Sequence, residues 1–256
     1  MHALTTRILL LSVLTGCVIS SSASMAKTRI DPHTKSFEMR LGASRIIYHP
    51  ERSGESLTVS NAQDYPILVQ GKVLAEDKKS PAPFIVTPPV FRLEARQQSR
   101  LRIIHTGKPE AADRETLQWM CVTGIPPKDT DVWALDNSGK TTAPADTATL
   151  HIEISAHQCI KLIVRPSGLE GSMAEAAAGL HWHLEGRSLT VTNPSAYYIN
   201  LQSVLIDGKP VPAVSYLAPH ASGHYPLPAG RGGKVTWRYI TDEGGESREL
   251  HAPIQS

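Results

Sequence analysis

Short runs of alternating apolar and polar residues recur along this chain, separated by Pro, Gly and Asn. Period-two alternation marks strands with one buried face, and evenly spaced runs with turn residues between them predict an all-β sandwich. The runs fall at 44–48, 56–60, 67–73, 84–87, 99–104, 115–123, 148–154 and 160–164, with a second series at 180–184, 188–192, 198–206 and 234–240. Only 173–178 reads as helix. Between the two series stands Arg165-Pro166-Ser167-Gly168, with a further turn at Gly171. That step predicts a boundary between two sandwiches, 27–166 and 167–256, each large enough for its own core.

The strictest alternation is Leu150-His151-Ile152-Glu153-Ile154-Ser155-Ala156. Standing alone, it reads as a half-buried strand of its own sandwich. The other reading is a sheet edge that lends the row Leu150, Ile152, Ile154 and Ala156 to another protein's sheet, with main-chain hydrogen bonds giving affinity and side-chain pockets giving specificity. Each large apolar residue would then contribute roughly 1.5–3 kcal/mol on full burial. An exposed apolar edge is otherwise an aggregation hazard. The connection before it, from Pro126-Pro127 to about Asp146, is rich in Asp, Thr, Pro and Gly and could cover that edge. Unstructured loops beyond about 12–15 residues are uncommon in compact domains and usually functional or disordered.

The start of the chain changes the compartment. Arg7 is followed by the apolar run Ile8-Leu9-Leu10-Leu11-Ser12-Val13-Leu14 and then small residues, so 1–26 is expected to be a secretory signal, cleaved after Ala26. Leu14-Thr15-Gly16-Cys17 also has the form of a lipoprotein box that would anchor Cys17; the soluble reading is preferred. No later stretch offers the roughly 18 consecutive apolar residues of a membrane span. With Cys17 in the leader, Cys121 and Cys159 remain, and in an oxidising compartment such a pair is most simply a disulfide. Closing a loop of that length would stabilise the fold by roughly 4 kcal/mol. A reactive thiol is the weaker reading, since no Cys-x-x-Cys is present.

Lys and Arg (26) nearly balance Asp and Glu (24), giving a formal charge of +2, and they are scattered, so nothing argues for nucleic acid. His181-Trp182-His183 puts two imidazoles on one face of a strand, but sequence places no third ligand beside them. Gly230-Arg231-Gly232-Gly233-Lys234 lacks the spacing and the Ser/Thr of a phosphate-binding loop and reads as a hairpin turn. No Gly-x-Ser-x-Gly elbow occurs. No catalytic residue, metal, cofactor or small-molecule substrate is expected, and the chain does not read as an enzyme.

The run Asp113-Arg114-Glu115-Thr116-Leu117-Gln118-Trp119-Met120-Cys121-Val122-Thr123-Gly124-Ile125-Pro126-Pro127 resembles the signature of the periplasmic pilus-assembly chaperones of the usher pathway, with Glu110 where that family usually has an apolar residue. Also similar are Ser44-Arg45-Ile46-Ile47-Tyr48, Val59-Ser60-Asn61, Thr87-Pro88-Pro89-Val90-Phe91-Arg92-Leu93, the run from Cys159 to Pro166, Val191-Thr192-Asn193-Pro194, Tyr197-Tyr198, Pro226-Leu227-Pro228-Ala229-Gly230 and Asp242-Glu243-Gly244-Gly245. These segments span nearly all of the chain beyond the leader.

The resemblance implies two immunoglobulin-like domains in an L shape, with a client held along the first domain and at the cleft. Arg45 and Lys161 match the basic pair that anchors a subunit's C-terminal carboxylate in that family; a guanidinium offers a planar fork and an ammonium a point charge. Without the resemblance they would read as ordinary surface charges. Glu115, Arg165 and Asp242 match an interdomain ionic cluster, which would fix the angle between domains rather than add net stability. Thr87-Pro88 resembles a turn that can carry a cis peptide.

The long stretch from Pro127 to Lys161, the Cys121 and Cys159 pair and the extended arm from Thr28 to Ala43 are similar to the long-loop subfamily that serves thin, non-fimbrial fibres. There the disulfide would tie the signature strand to the client-binding strand. The implied function is a periplasmic chaperone that folds and caps fibre or pilus subunits one-to-one, by donating an edge strand, and delivers them to an outer-membrane usher. The alternative is an exported immunoglobulin-like fibre subunit or adhesin. Two apparently complete domains and the basic pair favour the chaperone.

Overall fold

Alternation and turn residues build the fold as the chain pattern predicts, and two separate apolar cores result. The computed structural model describes residues 38–107, 111–128, 131–135, 139, 155–186, 188–212, 215–227 and 233–253. The expected leader with Cys17, the donor-row residues Leu150, Ile152 and Ile154, and the turn residues 230–232 lie outside them. Among the described residues, no helix is long and apolar enough to cross a membrane.

In chain order the first nine strands are β1 (Met39–Leu41), β2 (Arg45–Tyr48), β3 (Glu55–Asn61), β4 (Ile67–Leu74), β5 (Phe84–Thr87), β6 (Val90–Leu93), β7 (Gln98–His105), β8 (Thr116–Ile125) and β9 (Ala156–Val164). They form a four-stranded sheet, β1-β3-β7-β5, and a five-stranded sheet, β2-β9-β8-β4-β6. Inward-facing positions two apart, such as Leu57 and Val59 on β3 or Leu101 and Ile103 on β7, meet Val69, Met120, Leu162 and Val164 from the second sheet in one core. The Thr87-Pro88 peptide between β5 and β6 is cis.

The second sandwich begins with the helix α1 (Met173–Ala178), capped by the Ser172 side chain, which accepts from the Glu175 N–H at 3.2 Å. Eight strands follow: β10 (His181–Glu185), β11 (Ser188–Thr192), β12 (Ile199–Ile206), β13 (Lys209–Pro210), β14 (Tyr216–Leu217), β15 (Ser222–Pro226), β16 (Lys234–Tyr239) and β17 (Leu250–Pro253). One sheet is β10-β11-β15; the other is β13-β12-β16-β17, with β14 beside β12. The core centres on Trp182 and Trp237, with ring centroids 5.1 Å apart, and α1 closes it where Ala177 O accepts from Trp237 Nε1 at 3.0 Å.

The two halves reuse one device. Asn61, at the end of β3, is 2% exposed; its amide donates to the carbonyls of Tyr65, Leu93 and Glu94, and its oxygen accepts from Gln63 N. Asn193, just after β11, is fully buried, donates to the carbonyls of Tyr197 and Ala218, and accepts from Ser195 N. A buried amide bonded to several backbone carbonyls fixes how the chain leaves the sheet.

Two features depart from the sequence expectation. The run expected at 148–154 lies outside the described residues, and the strand expected at 160–164 is longer, since β9 already runs from Ala156; His157, Gln158 and Cys159 break the apolar period but pair residue by residue with β8. The segments β1, β6, β13, β14, β15 and β17 carry no alternation long enough to be read. They are short, several contain Pro or Gly, and their strand character comes from the neighbour they pair with.

Candidate functional site

Strand pairing assembles the site in rows. Arg45 on β2 stands opposite Lys161 on β9, Lys161 opposite Trp119 on β8, and Trp119 opposite Leu74 on β4. Ile47, Ile163 and Leu117 form the next row on that face, and Cys159 with Cys121 the one before. Because alternate residues share a face, all of these lie on the side of the sheet turned away from the first core. Tyr198, Tyr216 and Ala218 of the second sandwich pack against them as a third apolar cluster. Residues Leu117 to Val122 are therefore buried on both faces, which is why this part of β8 reads as a nearly continuous apolar run.

Beside this cluster lies a cavity of about 520 Å³, whose lining includes Glu76, Arg114, Glu115, Gln118, Tyr198 and Pro219. The Tyr198 and Tyr216 hydroxyls both donate to Glu76 Oε1, at 3.4 Å each.

Two partly buried cations of this face have no ion-pair partner among the described residues. Arg45 donates from Nη1 to Ile240 O at 3.4 Å, and its Nε is buried without a partner. Lys161 donates from Nζ to Asn200 Oδ1 and lies 4.7 Å from the Tyr216 ring centroid. Among the described residues, no carboxylate lies within 4.0 Å of either. Burial and the nearby charges of Arg45 and Lys78 push the Lys161 amine down to about 8, and burial likewise lowers Arg45 against the pull of Asp242. Asn200, 3% exposed, has a second unpartnered donor in Nδ2.

Four residues beyond Lys161, a third cation is saturated. Arg165 donates from Nε to Glu115 Oε1 at 2.5 Å and makes a bidentate pair with Asp242, Nη1 to Oδ2 at 2.6 Å and Nη2 to Oδ1 at 2.8 Å. Glu115, 1% exposed, also accepts from Tyr198 N at 2.6 Å. Burial pushes its carboxyl upward, opposed by Arg165 and the Tyr198 amide. Glu115 and Arg165 come from the first sandwich, Tyr198 and Asp242 from the second, so the cluster joins them.

Cys121 and Cys159 are bonded to each other, joining β8 to β9. The strand they anchor is only partly paired. β2 covers Lys161 to Val164, whereas from Ala156 to Ile160 the only described strand beside β9 is β8. Among the described residues this edge has no second paired strand, although Gln158 Nε2 donates to Met39 O of β1 at 3.1 Å, and it leads directly to Arg45 and Lys161.

The structure brings together Arg45, Lys161, Glu115, Arg165 and Asp242, and the disulfide. It leaves His181 and His183 on β10 with no third ligand among the described residues. Sequence reasoning did not identify Asn200, Trp119, Tyr198, Tyr216 or Glu76 as parts of the site. Asn200 alone carries a signal, an amide set in the otherwise aromatic and aliphatic run Tyr197 to Leu201.

Comparison with known proteins gives the same picture over nearly all described residues. Residues 38–170 match the family described as pili and flagellar-assembly chaperone, PapD N-terminal domain, and 175–251 the pili assembly chaperone PapD, C-terminal domain. Chaperone protein AfaB of Escherichia coli is 48% identical over 207 residues, 81% of this chain and 83% of the relative. The crystal structure of the E. coli chaperone DraB superposes with a TM-score of 0.74 at 46% identity, covering 86% of this chain and 97% of that one. A chain from the Salmonella enterica complex of SafA pilin with the SafB chaperone gives 0.75 at 45%, covering 86% and 98%.

Proposed function

The chain belongs to the family of PapD-type pilus-assembly chaperones, and from that premise we propose that it captures an exported pilus or surface-fibre subunit by adding a strand of its own to the subunit's sheet. The observation that carries this is the edge of β9 from Ala156 to Ile160, which among the described residues pairs with β8 alone and ends at two cations with no carboxylate within 4.0 Å.

A client segment lying along that edge and ending at Arg45 and Lys161 runs in the direction of β9, as β2 does beyond that point. Its terminal carboxylate meets the Arg45 fork and the Lys161 ammonium, and Asn200 Nδ2 supplies one more donor. Anion binding favours the charged form of Lys161, which burial and like charge disfavour. In the sequence, the row Leu150, Ile152, Ile154 and Ala156 has the parity of Ile160, Leu162 and Val164, of which Leu162 and Val164 belong to the core of the first sandwich. Glu115, Arg165 and Asp242 hold the two sandwiches so that Asn200 and Tyr216 stay over Lys161. Capture occurs in the periplasm, and an outer-membrane usher then receives the subunit.

Co-expression with a candidate subunit, followed by purification from periplasm, tests this. A one-to-one complex is expected, as is tighter binding of a peptide of the subunit's last strand with a free C-terminal carboxylate than of the same peptide amidated. Equal affinity for acid and amide would remove the anchoring role.

A further inference from the structure

The disulfide carries an asymmetry that the binding function does not use. Cys121 is fully buried under the third apolar cluster, whereas Cys159 is only partly buried. Beside Cys159 stands the exposed His157, with Nε2 3.2 Å from Cys159 Sγ and Nδ1 2.9 Å from Thr123 Oγ1. Cross-strand register explains the grouping: Thr123 faces His157 and Cys121 faces Cys159, so all four share one face of β8 and β9. Lys161 follows on that face of β9, and Lys72 of β4 stands beyond Cys121. The Thr123 hydroxyl can donate to Nδ1, and in that tautomer Nε2–H points at the sulfur.

From these positions we infer that Cys159 is the sulfur through which this bond is made and unmade, and that His157 is a positioning residue which holds it as the reactive thiolate. A hydrogen-bond donor and nearby cations favour the anion, and the thiolate is the species that attacks. In the reduced chain the Cys159 thiolate attacks one sulfur of an incoming disulfide R–S–S–R. The Cys159–sulfur bond forms, the reagent's own bond breaks, and one RS⁻ departs to take a proton from water. Cys121, giving up its thiol proton to solvent, then attacks the Cys159 sulfur and expels the second RS⁻. The two protein thiols lose two electrons and the reagent gains them. Reduction by a thiol runs the same path backwards, through the less buried sulfur.

Oxidised glutathione serves as the probe. Single-thiol chains, Cys121→Ser and Cys159→Ser, are exposed to it at about pH 7 and adduct formation is followed by mass spectrometry. The chain retaining Cys159 is expected to react about tenfold faster than the one retaining Cys121. Equal rates, or faster reaction at Cys121, would overturn the inference. Should a variant lose its fold, the wild-type chain decides: reduced, pulsed with the probe, acid-quenched and mapped, it is expected to carry glutathione on Cys159, and an adduct chiefly on Cys121 refutes it. Adding His157→Ala to Cys121→Ser should slow the reaction several-fold at about pH 7, with the difference gone near pH 10, where the thiolate forms unaided. A deficit of equal size at both pH values would strip His157 of its role.

Discussion

Two groups of basic residues meet at the junction between the sandwiches, and they differ in what surrounds them. Arg165 is fully answered: two carboxylates, through three hydrogen bonds, neutralise a guanidinium that is largely buried. Arg45 and Lys161 are comparably buried, stand opposite each other on neighbouring strands, and meet rings, a carbonyl and an amide but, among the described residues, no carboxylate within 4.0 Å. A buried cation is costly without an anion, so the first group spends its charge inside the molecule and the second keeps it for something that arrives. Burial alone does not separate a structural charge from a receptive one. The missing counter-ion does.

The largest test of that contrast is Arg165→Ala. It strands Glu115 without its cation, and loss of one partner of a buried pair should destabilise the fold by about 3–5 kcal/mol in urea titration. A loss under about 1 kcal/mol would mean that water replaces the guanidinium. Lys161→Ala should do the reverse, leaving stability unchanged or slightly higher while weakening a carboxylate-terminated client peptide by about 2 kcal/mol or more, read by calorimetry. If the fold fell as far as with Arg165→Ala, the two groups would be alike after all.

A smaller effect comes with pH. The folded Lys161 amine sits at about 8 against an ordinary 10.5, so above pH 8 it loses the proton that the carboxylate needs. Peptide affinity should fall about tenfold between pH 7 and pH 9. The fold moves the other way: between 8 and 10.5 the unfolded lysine binds more protons than the folded one, so this residue adds stability as pH rises through that window. Affinity that stays flat to pH 9 would count against Lys161 as a contact. The smallest effect expected is from Lys78→Met, which removes one of the cations opposing Lys161 and should move the midpoint of that pH profile up by less than about one pH unit. No movement would leave burial and Arg45 as the whole cause.

Much of the fold was legible because a buried sheet face must be apolar at every second residue. Val59, Leu101, Val191 and Val204 carry that period openly, and the helix at Met173–Ala178 was legible as the one stretch without it. The short strand β15, Ser-Gly-His-Tyr-Pro, could not be read, since its pairing with β11 and not its composition makes it a strand. Of the site, Arg45, Lys161 and the Glu115, Arg165 and Asp242 set were named through resemblance, because a basic residue in a strand looks the same whether or not a carboxylate waits beside it. Asn200 and Tyr216 were missed, as they lie 39 and 55 positions beyond Lys161 in the chain and reach it only through the packing of the second sandwich.

The sequence by itself determined that this is a chain of two β-sandwiches with a cysteine pair in the first and an unusually regular strand before the second cysteine. Tertiary structure decided which face of β8 and β9 turns toward the second sandwich, that the edge from Ala156 to Ile160 has β8 on one side only among the described residues, and that two of the three junction cations have no carboxylate within reach. The reason is physical. Periodicity is a property of neighbours along the chain, whereas the state of a charge depends on the nearest opposite charge and on how much water remains, and both are set by residues far apart in sequence.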